Sequence, residues 1–134
     1  MIDYSALVKK AQSAKKYSYS PYSKFRVGAA VLSTSGKVFT GCNIENSSFG
    51  LTVCAERTAL FKAISEGTRK FKAIAIASDA SGFISPCGAC RQVILDLASG
   101  IDVIMSDSRG ETKIVKAREL LPYPFDPHFL NKLK

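Results

Sequence analysis

The segment CAERTALFKAISEGTRKFKAIAIAS, residues 54–78, decides the fold because it joins a helical repeat to a buried strand. Apolar residues recur at helical spacing over 54–66, and Gly67 is a residue that commonly ends a helix. The run at 72–78 is almost wholly apolar, which is typical of a strand covered on both faces. A helix followed by such a strand predicts an α/β domain.

The rest of the chain supplies further elements of the same sheet. We expect a packing helix over 2–16, an antiparallel hairpin of strands at 25–33 and 38–44, a buried helix at 87–98, strands at 101–107 and 112–117, and a brief helix at 118–121. This order predicts a three-layer α/β/α fold with a mixed sheet of about five strands. We expect residues 1–134 to form a single domain.

Composition and charge narrow the class of protein. The content of 46% hydrophobic and 22% charged residues is ordinary for a globular protein, and no apolar run is long enough to cross a bilayer. The net charge of +8 suggests nucleic acid, but the basic residues are scattered and form no stripe interleaved with aromatics. The start, MIDYSALVKKAQ, lacks the features of a secretory leader. We therefore expect a cytoplasmic protein whose partners are neither nucleic acid nor membrane.

Three of the four cysteines have the spacing of a metal site. Cys87 and Cys90 form a C-x-x-C pair at the start of one predicted helix, and Cys54 opens the other. Both helices follow strands, so the thiols are expected at the same end of the sheet, where helix dipoles favour thiolates. Soft thiolate ligands favour zinc. Cys42 or His128 as a fourth ligand would instead make a closed structural site, and this alternative stays open.

The residues after Cys54 suggest that the metal is catalytic. A carboxylate at Glu56, beside an open zinc position, can accept a proton from water and return it elsewhere as a general acid and base. The plainer alternative is a first-turn Glu that only favours the helix dipole. Zinc with three thiolates carries net negative charge, so we predict that Arg57 provides electrostatic support by hydrogen bonding to them. A surface salt bridge is the alternative for Arg57.

These motifs together resemble the short, homotetrameric, zinc-dependent class of cytidine deaminases. The resemblance rests on PYSKFRVGAAV, GCNIENSSF, CAERTALFKAISEG, SPCGACRQV and ELLP, which occur in this order and cover nearly the whole chain. It implies that Cys54, Cys87 and Cys90 bind one zinc ion per subunit. It also implies that Glu56 deprotonates the water that attacks C4 of cytosine, protonates N3 and helps ammonia leave.

The same resemblance implies a nucleoside pocket shared between subunits. Asn43 and Glu45 match the pair that holds the ribose hydroxyl, and a strand would place them on one face. The remaining predicted substrate contacts are Phe25 against the pyrimidine, Ala55 through its backbone, the Ser85 carbonyl beside the leaving amine, and Phe125 from a neighbouring subunit, with Phe129 as a competitor for that role. Family members often carry Tyr at the position of Phe49, so a hydroxyl contact is missing here.

The expected activity is hydrolytic deamination of cytidine and deoxycytidine to uridine and deoxyuridine in pyrimidine salvage. One alternative is a deaminase of an antibiotic nucleoside of the blasticidin S type. A second alternative is an RNA- or DNA-editing deaminase, although polymer-acting relatives commonly use His where Cys54 stands. A non-enzymatic binding module stabilised by zinc is the third alternative, and it would require four ligands and no role for Glu56.

Overall fold

The structure is a computed structural model that describes residues 2–127 and residue 130. Its α-helices are α1 (Ser5–Ala14), α2 (Ala55–Ser65) and α3 (Gly88–Ala98). Its strands are β1 (Val27–Ser33), β2 (Val38–Cys42), β3 (Phe71–Ser78), β4 (Asp102–Ser106) and β5 (Thr112–Lys116). Short 3-10 turns lie at Lys15–Tyr17, Phe49–Leu51 and Ala117–Leu120. Within the described part of the chain, no helix has the length and apolar character that crossing a membrane requires.

The strands form one mixed sheet in the order β2-β1-β3-β4-β5. β1 pairs antiparallel with both β2 and β3, whereas β3 and β4 are parallel and are joined through α3. β5 pairs antiparallel with β4 and forms an edge of the sheet. The predicted hairpin and the mixed five-strand sheet are thus confirmed.

The alternation of β3 explains the three layers. Ala73, Ala75 and Ala77 face α1 and join one buried cluster with Leu7 and Ala11. The intervening isoleucines, Ile74 and Ile76, face the opposite way and pack in a second buried cluster with α2 and α3. A strand buried on both faces must be apolar at every position, and this is the pattern that the sequence shows.

This architecture brings the beginnings of α2 and α3 to the same end of the sheet. α2 starts after the turn that follows β2, and α3 starts after the loop that follows β3. The two helices pack against each other on one face. α2 ends as predicted, because Gly67 adopts a φ of +95°, a left-handed conformation that residues with a Cβ rarely adopt.

Two strands are shorter than the sequence predicted. β1 begins at Val27 rather than at residue 25, since Lys24 has a φ of 59° and interrupts the extended backbone. β2 ends at Cys42, and Ile44 then forms isolated bridges with Tyr19 and Val53. The predicted helix at 118–121 is a 3-10 turn at Ala117–Leu120.

Candidate metal centre and active site

Three cysteine thiols meet where α2 and α3 begin. Cys54 is the N-cap residue of α2, Cys87 is the N-cap residue of α3, and Cys90 lies in the first turn of α3. The Cys87 sulfur is 3.7 Å from that of Cys54 and 3.4 Å from that of Cys90, and all three lie within 4.8 Å of one another. Tetrahedral thiolates bound at 2.3 Å to one zinc ion stand about 3.8 Å apart. The three thiols therefore fit a zinc site.

The sulfur contacts also control the protonation of the thiols. Hydrogen bonding with Cys90 lowers the pKa of Cys54 to about 5, and the Arg57 guanidinium adds to this effect. The same contact with Cys54, together with burial, raises the pKa of Cys90. The two shifts are in opposite directions, so this cluster favours a thiolate at Cys54 beside a protonated thiol at Cys90. A zinc ion would replace that proton, because metal-bound thiols are deprotonated.

Arg57 lies against this cluster, as the charge argument predicted. Its Nη2 donates to the Cys54 sulfur at 3.4 Å, and hydrogen bonds to Cys54 and Cys90 raise the pKa of the guanidinium. Its Nε is buried and has no hydrogen-bond partner among the described residues. The side chain thus brings a fixed positive charge to a group of sulfurs. A surface salt bridge, the alternative for Arg57, does not occur in the described structure.

Glu56 is buried beside the thiols. It is 4% exposed, and its carboxyl group interacts with both Cys54 and Cys90. Burial raises the pKa of Glu56 to about 7, and the negative charge of Cys54 acts in the same direction. A carboxyl group with a pKa near neutrality can both take up and release a proton in water at neutral pH.

The closed four-ligand alternative built on Cys42 is wrong. The metal-binding group within the described residues contains Cys54, Cys87 and Cys90 and does not include Cys42. Cys42 ends β2, is partly buried, and has a pKa that burial raises, so it behaves as a small apolar residue of the sheet. His128, the other candidate fourth ligand, lies outside the described residues.

Asn43 is 8% exposed and fastens the segment that carries Phe25. Its Oδ1 accepts from the Ser18 hydroxyl and from the Val27 N–H at 3.0 Å, and its Nδ2 donates to the Phe25 carbonyl at 2.8 Å. The resemblance predicted a sugar-binding role for Asn43, with a plain turn residue as the alternative, and these contacts were not predicted. These hydrogen bonds join residues that are 16 to 25 positions apart in sequence, so no local sequence pattern predicts them.

Glu45 holds the same segment at Tyr22 and Ser23. Its Oε1 accepts from the backbone N–H groups of Tyr22 at 2.9 Å and Ser23 at 3.1 Å, and its Oε2 accepts from the Ser23 hydroxyl. Ser23 in turn accepts from the Phe25 N–H at 3.0 Å. β2 ends at Cys42, so the predicted strand does not reach Asn43 and Glu45, but both side chains bond to the chain between Ser18 and Val27.

The other predicted contacts lie in different surroundings. Phe25 is partly buried, Ala55 is fully buried, and Phe125 is 60% exposed. Phe49 is 74% exposed, and its ring meets that of Tyr22 edge-on with centroids 5.8 Å apart. Phe129, the competitor of Phe125, lies outside the described residues.

Two residues of the SPCGACRQ motif have roles that the sequence analysis did not assign. Arg91 donates from its guanidinium to the Ser85 hydroxyl, the Pro86 carbonyl and the Leu120 carbonyl, each at 2.8 Å. Gln92 donates from its Nε2 to the Phe125 carbonyl at 2.7 Å. These bonds hold the segment before Cys87 and the tail against α3. The only sequence signal for these roles was the pair of long polar residues that directly follows Cys90.

Comparisons with known proteins agree with this geometry. Residues 1–105 match a family model described as the cytidine and deoxycytidylate deaminase zinc-binding region. The chain is 45% identical over 131 residues to a cytidine deaminase of Sporosarcina psychrophila, covering 97% of this chain and 96% of the relative. It is 47% identical over 131 residues to a cytidine deaminase of Halalkalibacterium halodurans, covering 97% of this chain and 99% of the relative.

A solved structure shows the same fold. The crystal structure of cytidine deaminase from Burkholderia pseudomallei is similar to this structure with a TM-score of 0.90 and 46% sequence identity. The similarity covers 92% of this chain and 100% of that chain. The two proteins therefore share one fold.

Proposed function

The chain belongs to the family of zinc-binding cytidine and deoxycytidylate deaminases, and from this premise we propose how its site works and where it acts. The activity is hydrolytic: cytidine or deoxycytidine and water give uridine or deoxyuridine and ammonia. We propose that residues 1–134 act as one deaminase domain, supported by a single continuous sheet that contributes to both buried clusters.

One observation carries this function: three thiols converge beside a buried carboxyl group, and no fourth ligand joins them among the described residues. A closed site of four protein ligands holds zinc for structure, whereas three ligands leave a position for water. We infer that Cys54, Cys87 and Cys90 hold the ion. When bound, zinc supplies the Lewis acidity that lowers the pKa of water.

Glu56 is the proposed proton carrier. Its carboxylate accepts one proton of the attacking water and delivers it to N3 of the pyrimidine as C4 is attacked. It then passes the proton of the new C4 hydroxyl to the amine, which leaves as ammonia when the C4–N bond breaks. Its position supports this role, because the carboxyl group is 4% exposed and interacts with Cys54 and Cys90. Arg57 is the proposed electrostatic support, since its charge offsets part of the negative charge of the thiolates.

Asn43 and Glu45 are the proposed sugar-binding pair. The Asn43 Oδ1 already accepts two hydrogen bonds, and its Nδ2 donates one of the two it can make, which leaves one N–H donor. Glu45 accepts three hydrogen bonds of about four, which leaves an acceptor site. One donor beside one acceptor is the complement of a hydroxyl group, which supports recognition of a sugar hydroxyl of the nucleoside.

Aromatic and backbone groups are proposed to complete the pocket. Phe25 would pack on the pyrimidine, and its position is supported by the two residues that fasten its segment. Ala55 would present its backbone to the base, which fits a side chain buried below it. The Ser85 carbonyl would border the leaving amine, and Phe125 would reach a neighbouring subunit's site, which fits its 60% exposure.

We further propose a homotetramer that works in the cytoplasm in pyrimidine salvage. Exposed apolar residues support the assembly: Ile44, Leu51 and Phe61 are 45%, 66% and 47% exposed and line one shallow cavity. Contiguous apolar surface of this kind marks protein interfaces. A cytoplasmic location fits three thiols that must stay reduced to bind zinc. Sedimentation of the zinc-loaded protein would measure the assembly directly.

A single substitution tests the mechanism. Purified zinc-loaded protein is mixed with cytidine, and the ultraviolet change to uridine is followed with the wild type, with Glu56→Ala and with Glu66→Ala. Glu66 caps the far end of the same helix and is the matched control. We expect Glu56→Ala to retain zinc and lose turnover by at least about a hundredfold, while Glu66→Ala keeps both. Full activity in Glu56→Ala would contradict the proposed proton carrier.

The same assay separates the alternative substrates. Addition of a single-stranded oligonucleotide or a tRNA should leave the rate with cytidine unchanged if the pocket accepts only free nucleosides. Strong competition by the polymer would favour an editing deaminase. Turnover of blasticidin S in place of cytidine would favour the antibiotic nucleoside reading.

A further inference from the structure

Asp79 is the point where three separate segments of the chain meet at the end of the sheet that carries the site. Its carboxylate accepts from the Arg26 guanidinium through Nε at 3.0 Å and Nη2 at 3.1 Å, and from the Arg26 backbone N–H at 3.2 Å. The Lys15 ammonium lies 3.2 Å from the same carboxylate. The Asp79 N–H donates to the Arg26 carbonyl at 3.3 Å, which closes a reciprocal pair.

The position of this cluster connects it to the predicted pyrimidine contact. Arg26 directly follows Phe25, and the preceding residue, Lys24, is in the left-handed region with a φ of 59°. A non-glycine residue in that region is held there by its surroundings, because the conformation is strained. Asp79 and Asn43 hold the peptide unit that joins Phe25 to Arg26, and Ser23 holds the Phe25 N–H, so the backbone is fixed on both sides of the Phe25 side chain.

Asp79 is also the first residue of the loop that leads from β3 to Cys87. β3 ends at Ser78, and the loop then continues to Cys87, the N-cap of α3. Lys15 follows the last residue of α1 and begins the turn that enters the 18–25 segment. One carboxylate therefore fixes the relative position of the Phe25 segment and the loop that precedes a zinc ligand.

The ion pairs of Asp79 are partly exposed, which indicates that they orient neighbouring residues more than they add to folding free energy. The Arg26 and Asp79 side chains are 48% and 30% exposed, and ion pairs of this exposure add little to folding free energy. A bidentate arginine–carboxylate pair nevertheless fixes direction as well as distance, because both N–H groups must align with both oxygens. Such a pair is suited to orienting a neighbouring side chain.

We propose that Asp79, acting through Arg26 and Lys15, is a positioning residue that holds Phe25 against the pyrimidine ring of the substrate. This inference rests on the proposed function and on the proposed role of Phe25. A ring that stacks on the pyrimidine contacts the bound substrate and the transition state alike, so misplacing it raises KM and leaves kcat nearly unchanged. Zinc content is expected to stay unchanged, because Arg91 holds the segment directly before Cys87 through its bonds to Ser85 and Pro86.

The test is a double-mutant cycle in the cytidine assay, using wild type, Asp79→Asn, Phe25→Ala and the double variant. We expect Asp79→Asn to raise KM about fivefold, the upper range for a partly exposed ion pair, with kcat within about twofold and full zinc content. In the Phe25→Ala background the same change should have no effect on KM, because the residue through which Asp79 acts is gone.

Two further variants keep the test decisive. Arg26→Gln removes the bidentate pair but keeps the contact of Lys15 with Asp79, so it should raise KM in the same direction if Asp79→Asn folds poorly. Glu66→Gln, an exposed carboxylate at the far end of α2, should leave KM unchanged. An equal rise in KM in both backgrounds, or a fall in kcat alone, would overturn the positioning role while leaving the deaminase function intact. A wild-type protein without cytidine turnover would overturn both.

Discussion

Gly41 of β2 lies against the backbone of α2, the helix that carries the proposed proton carrier Glu56, and replacing it with alanine should disturb the site. A Cβ at this position would lie 2.5 Å from the Ala59 nitrogen and 2.8 Å from the Ala55 oxygen. Residues 55 and 59 are one helical turn apart, so the new methyl group would press on the first turn of α2. These are backbone atoms and cannot rotate away.

The size of the effect follows from these distances. Ordinary contacts of a Cβ begin at 3.4 Å, so the start of α2 must retreat from 2.5 to 3.4 Å, which is about 0.9 Å. Overpacking of this kind typically costs about 1–3 kcal/mol of folding free energy. Glu56 lies in that turn, and a displacement of about 1 Å in a catalytic constellation can lower the rate by about a hundredfold.

The assay compares Gly41→Ala with Gly100→Ala, whose added Cβ would meet no atom within 4 Å. We expect Gly41→Ala to lower the melting temperature by roughly 3–12 °C and kcat for cytidine by about a hundredfold. Gly100→Ala should match the wild type in both measurements. A Gly41→Ala protein with wild-type melting temperature and kcat would show that α2 does not lie as close to β2 as the structure places it.

Two further substitutions address the charge around the thiols and the far side of the sheet. Arg57→Gln should retain zinc, measured by metal analysis, but lower kcat by about tenfold or more because the thiolates lose a neighbouring positive charge; an unchanged rate would remove the proposed role. Tyr4 is 7% exposed and donates to Asp102 at 2.6 Å, and burial and this bond raise the pKa of Tyr4 to about 12. Since the unfolded tyrosine ionises near 10, this stabilisation is complete below pH 10 and is lost as the pH rises towards 12. Tyr4→Phe should lower stability by about 1–3 kcal/mol at pH 7 and flatten that alkaline decline in denaturant titrations; an equally steep decline in the variant would contradict the assignment.

The hydrogen bonds of Asn43 and Glu45 change how the sugar site is understood. From the sequence, both residues were expected on one strand face, where the resemblance implied that they hold a sugar hydroxyl. In the structure each already holds the 18–25 segment, and only one donor and one acceptor are left for the substrate. The residues proposed to bind the sugar therefore also shape the segment that carries Phe25, so substitutions at Asn43 are expected to affect base and sugar recognition together.

The amino-acid sequence by itself determined the elements and the chemistry of the thiols. The helical spacing over 54–66, the stop at Gly67 and the apolar run of β3 are local patterns, and the structure follows them within a few residues. The three-residue spacing of Cys87 and Cys90 places both thiols at one helix start whatever surrounds them. These features depend only on neighbours in the chain, and so a single sequence was enough to predict them.

Only the tertiary structure decided which distant groups meet. It separated Cys42 from the other thiols, buried Glu56 enough to raise its pKa to about 7, and joined Arg26 to Asp79 across 53 positions. Arg26 and Asp79 lie in loops at 18–26 and 79–86, and such loops carry no periodic signal because their backbone is not regular. Burial and long-range pairing exist only once the sheet has closed on its helices, which is the physical reason that the sequence alone could not fix them.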